Sequence, residues 1–383
     1  MKHFSISDLG PIQKVDIELG DLTFLVGPQA SGKSLALETL KLAMDRDSVI
    51  ATMDRYNYIL GHNPEKILNV FYGEGMGGIW KESTHVDVDG VPFTRSSLPK
   101  KADVEKEAQV FYMPAQRVVC MGDGSPKSFS DFAYTTPYVM REFAETLRTF
   151  VQFGIGISGK VFPAANRIKL DLRERFDSTI FHGGAVVMQE VAGQRKMQLD
   201  VDNLHVPFMA WSAGQKEFMP LLLGFYCITG PASKITRRER YRTVIIEEPE
   251  MGLHPQAIVS VLLQILELLS LGYQVVVSTH SELLIEWAWT FNLLRGSRKC
   301  AKAMRTLLEV EADSKVGRVI GQICTKTVRT YFFDRAEDGR VNSIDISSLD
   351  MDSEIKPVSQ WGGLASFSEN AAQIIERYYE EPR

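Results

Sequence analysis

The sequence is poor in features that would assign it to a specialised class of protein. Only four of its 383 residues are cysteines, and no two of them have metal-ligand or redox-motif spacing. This scatter predicts reduced thiols and a cytoplasmic protein. The formal net charge is -5 rather than strongly positive, so composition does not indicate nucleic acid as a partner, although it leaves room for local basic patches.

An apolar signal core, a run of residues apolar enough to span a membrane, and internal repeats are also not found in the sequence. The first residues have no apolar signal core. The most apolar stretch, residues 257–271, contains Gln264 and Glu267, so it predicts a buried helix and not a membrane span. The chain is long enough for one large domain with insertions or for two domains.

Strand patterns alternate with helix patterns, which predicts an α/β fold with a mostly parallel sheet. We predict a single domain, residues 1–383, with core segments 1–44, 109–135 and 209–383 and insertions 45–108 and 136–208. The predicted core strands are 15–19, 22–26, 110–113, 243–246, 275–277, 330–333 and 341–346, and the predicted core helices are 33–44, 213–227, 254–271 and 369–379.

The two insertions have weaker patterns of their own. Asn63 precedes a proline and an acid, as at a helix start, and Asp89-Gly90 predicts a hairpin turn. Lys100-Lys101 begins a predicted charged linker. The second insertion predicts helices 138–151 and 164–176 and strands 186–191 and 197–201. Neither insertion has heptads sustained long enough for a coiled-coil arm.

An eight-residue segment between a buried strand and a helix matches G-x-x-x-x-G-K-[ST] at every fixed position. Successive backbone N–H groups of such a loop converge on phosphate oxygens, and the following helix adds its positive N-terminal end. Lys33 would neutralise the β- and γ-phosphates, and the Ser34 hydroxyl would bind Mg²⁺. The segment therefore predicts a site for ATP and Mg²⁺, formed by Gly27, Pro28, Gln29, Ala30, Ser31, Gly32, Lys33 and Ser34.

A second apolar strand, residues 243–246, ends in the acids Glu247 and Glu248. Open α/β sheets bind ligands at this edge, and the pair resembles a Walker B motif. Glu247 would hold Mg²⁺ through water, and Glu248 would orient and deprotonate the attacking water. Two acids after a strand are also typical of a solvated strand end, but their combination with the phosphate loop favours catalysis.

The segment Trp211-Ser212-Ala213-Gly214-Gln215 begins a predicted helix and resembles the ABC signature, usually written L-S-G-G-Q. A hydroxyl and glycine amides at a helix N-terminus suit a phosphate. On its own, S-A-G-Q is also compatible with a plain helix cap. The order and closeness of Ser212, Glu248 and His280 match ABC ATPases. Two departures are Trp211 for leucine and Ala213 for glycine.

This resemblance implies roles that the residues alone do not. In ABC ATPases the signature faces ATP held by the other subunit, which implies a head-to-tail dimer, with a higher homo-oligomer as an extension. His280 would be the switch histidine that contacts the γ-phosphate, and the segment after the acids, from Glu250 to Pro255, would be the D-loop at the dimer interface. Gln116 would sense Mg²⁺ and the γ-phosphate. Arg117 is the alternative for a phosphate or interface contact, and an ordinary strand-end turn is equally compatible.

The combination of E-E-P-E-x-G-L-H-P, S-T-H-S and Y-M-P-A-Q-R resembles the AAA15/OLD-like branch of ABC ATPases, over residues 1–44, 109–118 and 209–282. It implies an ABC-type P-loop ATPase head with an antiparallel N-terminal β part. OLD nucleases carry a TOPRIM domain after the histidine. Asp350-Met351-Asp352 matches the D-x-D of a TOPRIM domain, but no convincing glutamate motif precedes it. We therefore predict that this segment is an acidic surface loop and that the chain is a stand-alone ATPase.

The length and the tail, with W-G-G-L-A-S-F at residues 361–367, are most similar to the ATPase subunits of PARIS antiphage systems. This implies a sensor and scaffold that controls a separate TOPRIM-type nuclease, with a phage protein as trigger. Two alternatives remain open: an SMC/RecF-like DNA-repair ATPase, and the motor subunit of a membrane transporter. The lack of coiled-coil arms counts against the first, and the two insertions count against the second. The basic run 237–242 could touch nucleic-acid phosphates, although a solvated face is commoner.

Overall fold

The computed structural model describes residues 1–61, 63–99, 106–155 and 159–379. The predicted linker at Lys100-Lys101 lies outside these residues. The strands are β1 (His3–Leu9), β2 (Ile12–Glu18), β3 (Leu22–Val26), β4 (Trp80–Val88), β5 (Val91–Phe93), β6 (Val110–Met113), β7 (Lys160–Phe162), β8 (Ala185–Val191), β9 (Gln194–Val201), β10 (Leu204–Pro207), β11 (Thr243–Glu247), β12 (Gln274–Ser278), β13 (Val328–Arg335) and β14 (Val341–Asp345). The helices are α1 (Lys33–Arg55), α2 (Pro64–Tyr72), α3 (Tyr138–Phe153), α4 (Leu170–Phe176), α5 (Ala213–Thr229), α6 (Pro255–Ser270), α7 (Glu282–Leu294), α8 (Cys300–Leu307), α9 (Lys315–Ile323), α10 (Lys356–Ser359) and α11 (Ser366–Tyr379).

A ten-stranded sheet organises the fold, in the order β5-β4-β1-β2-β14-β13-β3-β12-β11-β6. The neighbours from β13 to β6 are parallel, whereas β1, β2, β4 and β5 pair in antiparallel fashion. The prediction of a mostly parallel α/β sheet with an antiparallel N-terminal part is confirmed. Because β3, β11 and β12 end at the same edge, the segments that follow them meet there.

Strand β3 is buried on both faces of the sheet, which explains its largely apolar sequence. All five of its residues are buried. Leu22, Phe24 and Val26 pack into the core on one face of the sheet, and Leu25 packs into the core on the other. Because β3 is covered on both faces, its sequence does not follow the apolar-polar alternation of a half-buried strand. The buried strand also fixes the position at which the phosphate loop begins.

The predicted hairpin at Asp89-Gly90 is confirmed. It joins β4 to β5, and β4 pairs with β1, so part of the first insertion extends the main sheet. The predicted cap is confirmed as well, because Asn63 Oδ1 accepts from the Glu65 amide at 2.9 Å. The division of the chain into core and insertions stays a prediction.

Helix α1 runs eleven residues beyond its predicted end, with a kink at Asp45, whose φ is -113° and ψ is 20°. The Asp45 carboxylate accepts from the amides of Gln109 (2.8 Å) and Val110 (3.1 Å). Lys41 Nζ donates to Asp45 Oδ2 at 2.8 Å and to the Val110 carbonyl at 2.9 Å. This buried network ties the helix after the phosphate loop to the start of β6.

The second insertion forms a four-stranded sheet in the order β10-β9-β8-β7, and both of its predicted strands are confirmed. The predicted helix 164–176 is wrong in its first half, since α4 begins only at Leu170. A tertiary contact explains the difference: the Arg167 carbonyl accepts from Thr229 Oγ1 at 2.9 Å and not from a helical amide. Local periodicity does not reveal such a contact.

Helix α6 confirms the buried helix predicted from the apolar stretch. Among the described residues, no helix combines the length and apolarity needed to cross a membrane. All four cysteines are free thiols. Asp350 and Asp352 lie in an exposed turn in which the Asp352 amide donates to Asp350 Oδ1 at 3.0 Å, as expected of a surface loop.

Candidate active site

The phosphate loop joins β3 to α1 as predicted. Gly27 has φ +149°, and a Cβ there would lie 2.7 Å from the Phe333 carbonyl oxygen, so only glycine fits. Ala30 and Gly32 are in the left-handed region, at φ 58° and 81°. Gly32 offers α1 no side-chain cap, so the first amides of the helix are left for another acceptor. These features fit a bound phosphate.

The Lys33 side chain lies across this loop. Its Nζ donates to the carbonyls of Gly27 at 2.8 Å and Pro28 at 2.9 Å. Burial lowers the pKa of Lys33, and the carboxylates of Glu248 and Glu247 oppose that shift. A buried ammonium held by neutral carbonyls is stabilised by a nearby anion, which is the chemistry expected of a phosphate contact.

Glu247 meets Ser34 at the end of β11. Ser34 Oγ donates to Glu247 Oε2, and the Tyr112 hydroxyl donates to Oε1 at 2.5 Å. Burial raises the pKa of Glu247, and the two hydrogen bonds oppose the rise. A hydroxyl and a carboxylate are hard oxygen ligands, so this donor set fits Mg²⁺. Aspartate is more usual at this position, but the longer side chain of Glu247 still forms a hydrogen bond with Ser34.

Tyr112 was not among the predicted site residues, and its removal should weaken the metal site. In Tyr112→Phe we expect the Mg²⁺ concentration for half-maximal ATPase activity to rise about tenfold, because Glu247 loses one charge-assisted hydrogen bond. A Mg²⁺ titration at saturating ATP measures this. Tyr273→Phe, whose hydroxyl donates to the Ile228 carbonyl at 3.0 Å, is the matched control. An unchanged requirement in Tyr112→Phe would contradict the role of the hydroxyl.

Glu248 leaves the strand in the left-handed region, with φ 43°, and its amide donates to the Ser278 carbonyl at 2.8 Å. Its Oε1 lies 3.7 Å from His280 Nε2. Burial and Lys33 lower the pKa of His280, and Glu248 opposes the shift, so the neutral form of the imidazole is favoured. A partly exposed carboxylate beside a neutral imidazole is suited to accept a proton from water.

Glu250 positions the turn that carries His280, a role that the sequence did not reveal. Its Oε1 accepts from Thr279 Oγ1 at 2.8 Å and from the His280 amide at 2.6 Å. Burial raises the pKa of Glu250, and these hydrogen bonds oppose the rise. The only signal was its place in E-E-P-E. Its segment's predicted position at a dimer interface stays a prediction.

The two polar residues in the turn that follows β6, Gln116 and Arg117, differ from each other. Gln116 is exposed, and its side chain is not hydrogen-bonded to Ser34 or Glu247, so its sensing role stays a prediction. Arg117 is fully buried and donates to the carbonyls of Pro114, Glu247 and Glu248. The predicted phosphate or interface contact of Arg117 is therefore wrong, because its guanidinium does not reach the surface.

The signature forms the N-terminal end of α5. Ser212 Oγ accepts from the Gln215 amide at 3.2 Å, and Gln215 Oε1 accepts from the Ser212 amide at 3.1 Å. Ser212 and Ala213 are exposed, and Ala213 has negative φ, so alanine is tolerated there. A Cβ on Gly214 would lie 2.8 Å from the Gly252 carbonyl oxygen, so this glycine permits close contact with the D-loop.

Part of the chain matches a family of known proteins. Residues 165–286 match the family described as "AAA domain, putative AbiEii toxin, Type IV TA system". The matched segment is less than half of the chain; it contains Ser212, Glu247, Glu248 and His280 but not the phosphate loop. No curated protein matches the sequence.

Solved structures that are similar to this chain include two SMC heads and one ABC transporter subunit. An SMC head bound to the C-winged helix domain of ScpA is 12% identical, with TM-score 0.41, covering 90% of this chain and 96% of that one. The SMC head domain from Thermotoga maritima is 11% identical, with TM-score 0.38 and coverages of 90% and 98%. An ATP-binding subunit of an ABC transporter is 15% identical, with TM-score 0.32 and coverages of 72% and 79%.

Proposed function

We propose that the chain is an ABC-type ATPase that binds ATP with Mg²⁺ and hydrolyses it in a site completed by a second copy. The observation that carries this proposal is the convergence of Lys33, Ser34, Glu247, Glu248 and His280 at one edge of the sheet, with Ser34 bonded to Glu247 and Glu248 beside His280. Each residue type suits one task of phosphoryl transfer to water.

The backbone amides of the phosphate loop and Lys33 would bind the β- and γ-phosphates. Ser34 and Glu247 would hold Mg²⁺, which supplies positive charge against the phosphates. Glu248 would orient a water molecule and accept its proton, and neutral His280 would donate a hydrogen bond to the γ-phosphate. Gln116 would join this site from the turn that follows β6.

The signature supports a second copy as the partner. Ser212 and Ala213 are exposed at the positive end of α5. Ser212 and Gln215 form hydrogen bonds with each other, and Gln215 also donates to the Ile180 carbonyl. An exposed helix N-terminus with a hydroxyl suits the γ-phosphate of another subunit. Two identical half-sites facing each other across a two-fold axis would complete two sites at once.

Lys33→Ala tests the nucleotide site directly. We expect the dissociation constant for ATP to rise at least about tenfold, since one charge-assisted contact to phosphate is lost. Titration calorimetry measures this, and Lys14→Ala, an exposed lysine on β2, is the control. ATP affinity equal to that of the wild type would refute the assignment of this loop.

We further propose that the ATPase acts as sensor and scaffold in bacterial antiphage defence and controls a separate TOPRIM-type nuclease, with a phage protein as trigger. The resemblance of the core motifs and the tail to that class supports the proposal. The matched family, whose description includes a putative toxin, is compatible with it. The D-x-D segment at Asp350–Asp352 is a surface turn in which the Asp352 amide donates to Asp350 Oδ1.

The basic run does not favour the alternative of a DNA-repair ATPase. Arg237 forms an ion pair with Glu107, and Arg238 donates to the Thr229 carbonyl at 3.2 Å. The Arg240 guanidinium lies over the Tyr241 ring at 4.6 Å. Arg237, Arg238 and Arg240 thus contact other residues of the same chain, as expected of a segment with a structural role.

Co-expression with neighbouring genes tests the defence role. We expect a TOPRIM-type nuclease to copurify with the tagged ATPase and to be released during phage infection. Purification of the ATPase alone, with ATP hydrolysis stimulated by DNA, would instead support the DNA-repair alternative. Neither outcome depends on which phage protein is the trigger.

A further inference from the structure

Arg117 is a buried cation whose guanidinium binds main-chain carbonyls at the catalytic strand end. The side chain has 0% exposure. Its Nη1 donates to Glu247 O at 2.6 Å and Pro114 O at 3.0 Å, and its Nη2 donates to Glu248 O at 3.1 Å. The planar fork of arginine can reach several carbonyls at once, which a lysine ammonium cannot do in the same geometry. The two Walker B acids are thus fixed through their backbone.

The signature helix and the D-loop pack together beside this guanidinium. A Cβ on Gly252 would lie 3.6 Å from Gly214 Cα and 3.6 Å from Glu217 Cγ, so the Glu217 side chain rests on the D-loop. Burial lowers the pKa of Arg117, and the carboxylates of Glu217, Glu250 and Glu247 oppose that shift. Helix α5, which carries Glu217, also packs against the turn Arg117–Cys120 that carries the buried cation.

Three atoms in this region are buried without a hydrogen-bond partner: Arg117 Nε, Glu217 Oε2 and Glu250 Oε2. Buried polar atoms are nearly always paired, so one unpaired donor among two unpaired carboxylate oxygens needs an explanation. Arg117 Nε is a donor and the two carboxylate oxygens are acceptors, so a displacement of α5 or of the D-loop that brought Arg117 Nε to one of them would pair both atoms. That displacement would be transmitted to the carbonyls of Glu247 and Glu248, which the same guanidinium holds.

We propose that Arg117 is a positioning residue that fixes the main chain of Glu247 and Glu248 and couples it, through Glu217 and Glu250, to the signature helix and the D-loop. This inference rests on the proposed ATP hydrolysis. It accounts for the left-handed φ of 43° at Glu248, a conformation that is uncommon for a residue other than glycine. It also gives the signature a route by which its position affects the catalytic base.

Arg117→Lys tests the positioning role with a readout that does not need activity. We expect hydrogen–deuterium exchange of the amides in residues 247–253 to become about tenfold faster, since hydrogen bonds to a charged group are lost. We expect kcat to fall at least about tenfold, while the dissociation constant for ATP stays within about threefold, because the phosphate loop is untouched. Glu217→Gln keeps the contacts of Arg117 with the main-chain carbonyls and removes the negative charge of residue 217. It should therefore lower kcat by a smaller factor than Arg117→Lys does.

Arg141→Lys is the matched control. Arg141 is also buried and donates to three carbonyls, those of Thr136 (2.9 Å), Ala133 (3.0 Å) and Tyr134 (3.0 Å). We expect a lower melting temperature in this variant with unchanged exchange in residues 247–253. If Arg117→Lys behaves in the same way, the inference is overturned. If it does not fold, Glu217→Gln decides, since unchanged kcat and exchange there would refute the coupling. A wild-type protein without ATPase activity would defeat the proposed function, and the exchange measurement would still test the positioning role.

Discussion

Glu248→Gln should bind ATP with wild-type affinity and hydrolyse it about 100- to 10,000-fold more slowly, the usual cost of losing a general base. Glutamine has the same length and can keep the backbone bond from residue 248 to the Ser278 carbonyl. Its amide cannot accept a proton from water, whereas Lys33, Ser34 and Glu247 retain their contacts. Single-turnover hydrolysis and ATP titration separate these two effects.

The variant should also accumulate as an ATP-bound dimer, because hydrolysis no longer releases the partner. Light scattering with and without ATP measures this. Glu190→Gln, an exposed glutamate on β8, is the control and should behave as the wild type. Wild-type turnover in Glu248→Gln would assign the base to another group. Lost ATP affinity would show that Glu248 acts in binding instead.

The phosphate loop and the acidic strand end could be predicted because each is specified by consecutive residues. A fully buried strand, glycines at fixed places and a helix start define the loop around Gly27 and Lys33 within one short segment. The fixed ends of β3 and β11 then bring Ser34 to Glu247, 213 residues apart in the chain. Parallel pairing through β12 makes that meeting a consequence of the fold.

The supporting residues could not be predicted in the same way. Tyr112 bonds to Glu247 across 135 positions, and Arg117 bonds to the Glu247 carbonyl across 130. A main-chain carbonyl leaves no trace in the residue type, so a single sequence could not show what Arg117 binds. The kink at Asp45 was not predicted for a related reason, because the Asp45 carboxylate accepts from the amides of Gln109 and Val110, which lie 64 and 65 positions away in the chain.

Mixing Lys33→Ala with Ser212→Arg, each inactive alone, should restore up to about a quarter of wild-type ATPase activity if the sites are shared across a two-fold axis. In a mixed dimer, one site combines Lys33 of the second variant with Ser212 of the first, and the other site carries both changes. Random exchange makes about half of the dimers mixed, with one intact site in each. ATPase assays over a range of mixing ratios, with a peak near equal amounts, measure this.

Ser212→Arg needs a control because Ser212 also caps α5, and loss of an N-cap costs about 1 kcal/mol of stability. Ser314→Arg is matched, since Ser314 Oγ caps α9 by accepting from the Gly317 amide at 2.9 Å. It should lower the melting temperature by a similar amount and leave ATPase activity intact. If Ser212→Arg loses ATPase activity and Ser314→Arg does not, the loss is caused by the position of Ser212 facing the phosphate and not by destabilisation of the helix.

Recovery on mixing depends on subunit exchange, so exchange must be shown by fluorescence energy transfer between labelled variants. If subunits exchange and no activity returns, either both sites must fire together or the sharing is wrong. A crosslink between cysteines introduced at Gly252 of two copies distinguishes these cases, because a shared site brings the D-loops together. Activity independent of concentration in a proven monomer would refute the shared site outright, since Ser212 would then have no ATP to face.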